Sequence, residues 1–163
     1  MVQVLATGPG GEVIVAGRSE PLWRVTPDGI EAVAGPDGAP ITRWRHATLA
    51  GDGALWVALG DTLWRRDARA RWRAWTAAVF DSQAFYRVLP AGGDSVFVAT
   101  NRALWIASPG GAPARVAPFR HVWQVARLPD SAWVVLTRGG ELWRLGPGAP
   151  RLLHRAEGAS GLA

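Results

Sequence analysis

Short runs of alternating apolar and polar residues, bounded by glycine, proline and aspartate, recur along the chain. The stretch GALWVALGDTLWRRD at 53–67 is the clearest, and it predicts two short strands joined by a turn at Gly60-Asp61. Three further stretches have the same form: EVIVAG…PLWRV at 12–25, SVFVATNRALWIA at 95–107 and AWVVLTRGGELWRL at 132–145. No window has a sustained apolar stripe with helical spacing, and only the segment 76–84 predicts a single short helical turn.

The spacing of large apolar residues shows that these stretches are repeats. The Leu-Trp pairs place four tryptophans at intervals of 41, 41 and 38 residues: Trp23, Trp64, Trp105 and Trp143. The preceding strands carry a second set at intervals of 42, 41 and 36: Ile14, Trp56, Phe97 and Trp133. Units of about 40 residues with four strands each are typical of a β-propeller. A lone four-stranded sheet is only marginally stable, so we expect these eight side chains to be buried between blades. Because the second and third strands are neighbours, the two large side chains of a blade are expected to reach the same blade-to-blade interface.

The sequence therefore predicts an all-β protein with a single domain over residues 1–163. We expect a β-propeller of four four-stranded antiparallel blades, at about 1–36, 43–77, 85–119 and 121–156. Since both chain ends are already used as strands of their own blades, two closures remain. Four blades can close by packing within one chain, or two chains can form an eight-bladed ring. A third possibility is that the chain is part of a larger propeller. The single-chain ring is simpler, so a monomer is slightly favoured over a homodimer.

The pattern Gly-x-Leu-Trp-Val-Ala followed by Leu-Trp-Arg resembles the repeats of two-component-regulator propellers and, more loosely, NHL and SMP-30-like propellers. The resemblance covers all four repeats, roughly residues 2–154. It implies that the first strand of each blade is innermost and lines the axis. Such repeats occur in sensors, scaffolds and enzymes, so they predict the fold and leave the function open. SMP-30-like enzymes hold a divalent cation with Glu, Asn and Asp on the inner strands. The corresponding positions here are Val2, His46, Tyr86 and Trp123, which counts against that activity.

Composition and charge narrow the function classes. Cysteine is absent, which excludes disulfides and thiolate metal sites. No apolar run could span a membrane and no secretory leader is visible, so a cytoplasmic location is expected. The chain has 18 arginines and no lysine, and with 13 acidic residues its net charge is +5. Because these arginines are spread over all repeats and form no continuous tract, nucleic acid is not favoured as a partner.

Two sets of loops are expected to share one face of the propeller. The loops that enter each first strand carry Arg43, Trp44, Arg45, His46, Phe85, Tyr86, Arg87, Arg120, His121 and Trp123. The loops between second and third strands carry Arg18, Glu20, Asp61, Asn101, Arg102, Arg138 and Glu141. Arginine and aromatic side chains are typical of recognition surfaces. The alternative is that exposed loops simply hold long polar side chains.

We predict that this face binds an unidentified protein or a small polar or anionic ligand. The candidate binding residues are Arg43, Arg45, His46, Tyr86, Arg87, Arg102, Arg120 and His121. No catalytic residue, metal ion or cofactor is predicted, since no serine lies near a suitable histidine and the carboxylates of this face read as ion-pair partners of arginines. Catalysis is left open, with a non-catalytic binding or scaffold role favoured. The alternatives are a lectin, whose exposed tryptophans would stack on sugar rings, and, ranked lower, an SMP-30-like hydrolase.

Overall fold

The computed structural model describes residues 2–17, 20–82 and 84–156, and within them the fold is almost entirely β-sheet. The first sheet contains β1 (Val2–Thr7), β2 (Val13–Gly17), β3 (Leu22–Thr26) and β4 (Gly29–Ala32). The second contains β5 (His46–Leu49), β6 (Leu55–Leu59), β7 (Thr62–Arg66) and β8 (Trp72–Thr76). The third contains β9 (Phe85–Gly92), β10 (Ser95–Thr100), β11 (Leu104–Ala107) and β12 (Ala114–Ala117). The fourth contains β13 (Val122–Arg127), β14 (Trp133–Thr137), β15 (Glu141–Leu145) and β16 (Arg151–Arg155).

Each sheet is an antiparallel meander in which strands pair in chain order. All sixteen predicted strands are present, and the predicted helical turn is a 3-10 helix at Ala77–Phe80. No helix in the described ranges is long and apolar enough to cross a membrane.

Tight turns connect the first and second strands of the blades. Gly11 and Gly53 hold these turns with φ of 78° and 77°, a left-handed conformation that glycine adopts without steric cost. Ser131 occupies the corresponding place in the fourth blade with φ of 67°. A residue with a Cβ atom pays about 1 kcal/mol or more in that region. The fourth blade therefore contains a strained turn, whereas the first and second blades have glycine at this place.

Three apolar clusters fill the spaces between successive blades. Ile14 and Val57 belong to the cluster between the first and second sheets, Trp56 and Val98 to the next, and a third cluster joins the third and fourth sheets. The innermost strands β1, β5, β9 and β13 lie beside one another in that order. No cluster among the described residues joins the fourth sheet to the first. Contacts that would close four blades into a ring within one chain, the arrangement favoured by the sequence, are therefore not seen among the described residues, and the closure stays a prediction.

Strand register determines which neighbouring blade each tryptophan contacts. Trp64 pairs with Val57 and faces the first blade, whereas Trp56 pairs with Arg65 and faces the third. The expectation that both rings of a blade share one interface is therefore wrong in the second blade. Successive residues of a strand point to opposite faces, so a one-residue offset in pairing separates the rings completely.

In the fourth blade, a one-residue offset makes the alignment of Trp133 with Trp56 in the sequence wrong. Trp143 pairs with Val135, just as Trp64 pairs with Val57, so the counterpart of Trp56 is Val134. Trp133 lies one residue earlier, on the same sheet face as Trp143. Its ring contacts Phe97 of the third blade edge-on at 4.9 Å. The shorter interval of 36 residues in the sequence reflected this offset.

The eight expected core positions are buried to different degrees. Ile14, Trp56 and Phe97 are fully buried. The remaining five are half-buried: Trp23, Trp64, Trp105, Trp133 and Trp143. Two tryptophans that the repeat pattern did not include, Trp44 and Trp72, also pack against the cluster between the first two blades. The aromatic content of the chain is thus used mainly for packing blade on blade.

The arginine of the Leu-Trp-Arg motif ties the third strand to the turn between the first two strands. Arg24 contacts Glu12 at 2.5 Å and Arg65 contacts Asp52 at 2.6 Å. Arg144 forms the equivalent ion pair with Asp130. The third blade has Ile106 in place of the arginine, and there the hydroxyl groups of Ser95 and Ser108 are 2.8 Å apart. These ion pairs lie on the face opposite the candidate site.

Candidate ligand-binding face

The candidate site lies where the innermost strands begin. The meander brings the loops between second and third strands to the same face. The Arg138 N–H donates to the His121 carbonyl at 2.9 Å, and the Ser82 hydroxyl donates to Asn101 Oδ1 at 3.0 Å. The two loop sets that the sequence placed on one face therefore contact each other.

Five side chains from three blades form a continuous group, here called the axial cluster: His46, Tyr86, Arg87, His121 and Trp123. The Arg87 guanidinium carbon lies 4.1 Å from the centroid of the Trp123 ring. The rings of Tyr86 and His121 meet edge-on at 5.2 Å. His46 reaches the same strand through its Nδ1, which accepts a hydrogen bond from the Val88 N–H at 3.4 Å. Contacts thus run from β5 across β9 to β13.

Two β-bulges place the aromatic side chains of this cluster. In β9 the pairing shifts between Arg87 and Phe85, which leaves Tyr86 as the extra residue. In β13 it shifts between Val122 and Gln124, which leaves Trp123 as the extra residue. A bulge releases a side chain from the alternation of the sheet, and bulges are frequent beside functional sites. The two aromatic residues thus occupy the same structural position in neighbouring blades.

The aromatic rings of the axial cluster are unusually exposed. Tyr86 is 44% exposed and Trp123 is 50% exposed, and Trp123 is the one tryptophan of the ten in the chain that is classed as exposed. His121, beside them, has φ of 51°. Non-glycine residues in the left-handed region are found disproportionately at ligand sites, where the surrounding structure enforces them. Exposed rings next to such a residue mark this region as a candidate binding surface.

The electrostatics of the cluster favour anions. Burial, and after it the neighbouring Arg87 charge, lower the pKa of His46 to about 4. The imidazole is therefore neutral at neutral pH, with Nδ1 accepting from Val88 and the proton on Nε2. Arg87 makes no ion pair within the described part of the chain. Its positive charge is consequently available to a ligand.

The structure groups four of the eight predicted site residues, namely His46, Tyr86, Arg87 and His121. Arg102 instead pairs with Asp81 at 3.1 Å. The other three predicted arginines are exposed on loops of this face, and no side-chain bond from them to the cluster is seen in the described ranges: Arg43, Arg45 and Arg120. Their participation stays a prediction. Arg18, which the sequence placed on this face, lies outside the described residues.

Trp123 was missing from the predicted binding residues although the sequence placed it on the right loop. The signal in the sequence was that Trp123 falls outside the repeat pattern of core residues, but Trp44 and Trp72 do so too and pack between blades. The exposure of Trp123 follows from its place in the bulge of β13.

Glu141 is an ion-pair partner of an arginine, as the sequence indicated for the carboxylates of this face. It pairs with Arg155 on the adjacent strand and accepts a bond from Trp143 Nε1 at 3.1 Å. Its role is structural within the fourth blade.

No group of three or more potential metal-ligating side chains is found among the residues that the structure describes. A cleft of about 260 Å³ lies elsewhere, between the first two blades on the opposite face. Its carboxylates include Glu12 and Asp52, which already pair with Arg24 and Arg65. The axial cluster is therefore the better candidate for ligand recognition.

The four packed blades have the architecture of a β-propeller, and solved structures share it. The chain is similar to virginiamycin B lyase from Staphylococcus aureus, with 16% identity and a TM-score of 0.71 over 99% of this chain and 62% of the lyase. It is also similar to an extracellular domain attributed to a hybrid two-component system from B. thetaiotaomicron, with 13% identity and a TM-score of 0.70 over 95% of this chain and 22% of that one.

A third similar structure is attributed to a gluconolactonase, with 17% identity and a TM-score of 0.60 over 94% of this chain and 66% of that one. The chain thus spans less than two thirds of each of these proteins. No protein-family model matches the sequence, and no curated protein sequence matches it. At these identities the likeness establishes the propeller fold, as the repeat pattern predicted.

Proposed function

We propose that the protein is a non-catalytic binding module that recognises a polar or anionic ligand, small or part of a protein, at the axial cluster. The observation that carries this proposal is Arg87, which has no carboxylate partner in the described residues and lies over the exposed ring of Trp123. A guanidinium group can bind a carboxylate or phosphate through two parallel hydrogen bonds. The ligand is therefore an anion that also carries a flat apolar group.

The aromatic members of the cluster supply the second half of this recognition. Trp123 and Tyr86 expose apolar ring surface next to the arginine, and aromatic side chains lose little entropy on binding. The neutral His46 offers a hydrogen-bond donor without adding charge. The resulting preference is for an aromatic or otherwise planar anion over a simple inorganic one.

A binding role is favoured over the alternatives by the composition of the cluster. Glycosidase-type hydrolysis uses a pair of carboxylates, and the axial cluster holds none. Its histidines and tyrosine are groups that general acid–base catalysis can use, so an enzyme stays the alternative to this proposal. A propeller lectin of the expected kind would expose a tryptophan in every blade, whereas Trp123 is unique in this respect. The likeness to a lyase and to a gluconolactonase is one of fold, and it transfers no substrate. The cytoplasmic location also stays a prediction, because one similar structure is an extracellular domain.

Binding of simple model anions tests this proposal. The probes are phenyl phosphate, benzoate and inorganic phosphate, and the readout is the chemical shift of the Trp123 indole N–H in NMR titrations. We expect phenyl phosphate to bind most tightly, since it alone combines phosphate charge with a ring. Arg87→Ala should weaken that binding about tenfold or more, the effect of one charge-assisted hydrogen bond, while the melting temperature hardly changes.

Arg151→Ala is the matched control, because it removes the same charge from an exposed residue of the outermost strand β16. Its affinity for phenyl phosphate should equal that of the unmodified protein. Equal losses in the two variants would show non-specific attraction to a basic protein and would contradict the proposal. So would the absence of any Trp123 response to all three anions.

A further inference from the structure

The third-strand tryptophans all face the preceding blade. Trp64 belongs to the cluster shared with the first blade, Trp105 packs against the cluster shared with the second, and Trp143 against the cluster shared with the third. Trp23 has the same position in the first blade, paired with Val15 as Trp64 is with Val57. It therefore points to a place where the described residues supply no blade.

The uncovered face of the first blade is apolar across its whole width. By strand register it carries Val4, Val13, Val15, Trp23, Val25 and Ile30. Val4 is 60% exposed, whereas its counterpart Val88 in the third blade is 0% exposed inside an interface. Ile30 is 70% exposed. Contiguous apolar patches of this kind are rare on monomers and mark interaction surfaces.

The uncovered face of the fourth blade is the matching half of the same interface. It carries Val134, Leu136 and Leu142, which are half-buried. Their counterparts in the second blade are Trp56, Ala58 and Leu63, all fully buried against the third blade. Ala126 is exposed on this face, whereas its counterpart Leu89 packs into the cluster between the third and fourth blades.

We infer that a second copy of this chain covers both faces and completes an eight-bladed ring. The fourth blade of each copy packs against the first blade of the other, which continues the three interfaces already present within the chain. Two such contacts are related by a two-fold axis and leave no blade face uncovered. Eight blades lie at the upper end of the usual range for propellers. A second copy is the occupant because it presents both missing faces at once.

The mass of the protein in solution tests this inference, by light scattering and sedimentation over a range of concentrations. The expected value is twice 17.4 kDa. Val4→Arg and Ala126→Arg each place a charge on one uncovered face, at residues exposed in the single chain, so both variants should fold. Each should reduce the mass to that of one chain, because every ring contact uses both faces and an unpaired charge is costly to bury.

Val79→Arg is the matched control, since Val79 is 47% exposed on the 3-10 helix, away from both faces. This variant should keep the mass of two chains. A single-chain mass for the unmodified protein at every concentration would overturn the inference, as would a larger open assembly. A two-chain mass that persists in either of the two face variants would also overturn it. That result would mean that the chains pair through one face only, so that a charge on the other face is tolerated.

Discussion

At the scale of single residues, His46 shows how burial changes the chemistry of a side chain in this fold. Its imidazole sits between blades, close to Arg87, and burial lowers its pKa from 6.5 to about 4. In the unfolded chain the same group would take up a proton near pH 6.5. The folded state therefore binds fewer protons than the unfolded state between these two values, and its stability depends on pH there.

We expect the free energy of unfolding to fall as the pH is lowered from about 6.5 towards 4. The direction follows because protonation in that window occurs mainly in the unfolded state and pulls the equilibrium towards it. Chemical denaturation at a series of pH values measures the slope, and NMR titration of His46 gives the pKa directly. In His46→Gln the decline between about pH 6.5 and 5 should be smaller. An NMR pKa near 6.5, with equal slopes in both proteins, would refute this account.

The residue scale also shows why four of the five residues of the axial cluster were predictable. His46, Tyr86, Arg87 and His121 were recognisable as polar or aromatic residues on loops that a propeller brings to one face. Their grouping with Trp123 depends on two bulges and on contacts between residues more than thirty positions apart in the sequence. Arg102 looked equivalent in the sequence, but Asp81 holds it in an ion pair. Pairing choices of this kind are not encoded in local patterns.

At the scale of elements, the turns between first and second strands show how one residue adjusts the stability of a blade. Gly53 and Ser131 have nearly the same left-handed conformation, with φ of 77° and 67°. Glycine suits that conformation, whereas serine is strained in it. The fourth blade therefore has a local penalty that a single substitution can remove.

Ser131→Gly should stabilise the protein by about 0.5–1 kcal/mol, because the strain is relieved. Within the described ranges the exposed hydroxyl makes one long hydrogen bond, at 3.5 Å from Arg127, so little is lost with it. Gly53→Ala should have the opposite effect and destabilise the protein by about 1 kcal/mol or more, because alanine is strained in the left-handed conformation. In addition, the new Cβ would lie 3.2 Å from Glu12 Oε1. Thermal unfolding of both variants measures these shifts. If both lower the melting temperature, strain at Ser131 is not the controlling factor.

Element boundaries were readable from the sequence, but register was not. The alternation and turn signals located every strand, since both are local properties of the chain. The equivalence of Trp133 and Trp56 was wrong by one position, because residue spacing alone does not reveal which residues pair across strands. In a β-sheet, a shift of one position moves a side chain to the other face of the sheet.

At the scale of the whole molecule, the second strands are buried most completely in the two middle blades and less completely in the first and fourth blades. Strand β6 is buried along most of its length between the first and third blades, whereas every residue of β16 is exposed. The outermost strand β8 of the second blade provides a fair comparison with β16. There Trp75 is buried and stacks on Trp56 at 5.1 Å.

We therefore expect amide hydrogen exchange to be slowest in β6 and fastest in β16, with β8 at least about tenfold slower than β16. The physical reason is that opening β8 exposes a buried indole ring, while opening β16 exposes little that water does not already reach. Exchange followed by NMR or mass spectrometry resolves the strands individually. Equal protection of β8 and β16 would show that the outer strands open together and that Trp75 does not hold β8 in place.

The sequence by itself determined the four repeats, their sixteen strands, the connecting turns and the face on which the polar loops gather. These follow from alternation, turn residues and a period near 40, all of which operate over short stretches of chain. Only the tertiary structure decided which faces the tryptophans contact, which polar residues form the axial cluster and which blade faces stay uncovered. Those outcomes depend on strand register, on bulges and on packing between distant residues, where a shift of one position or one missing neighbour changes the result.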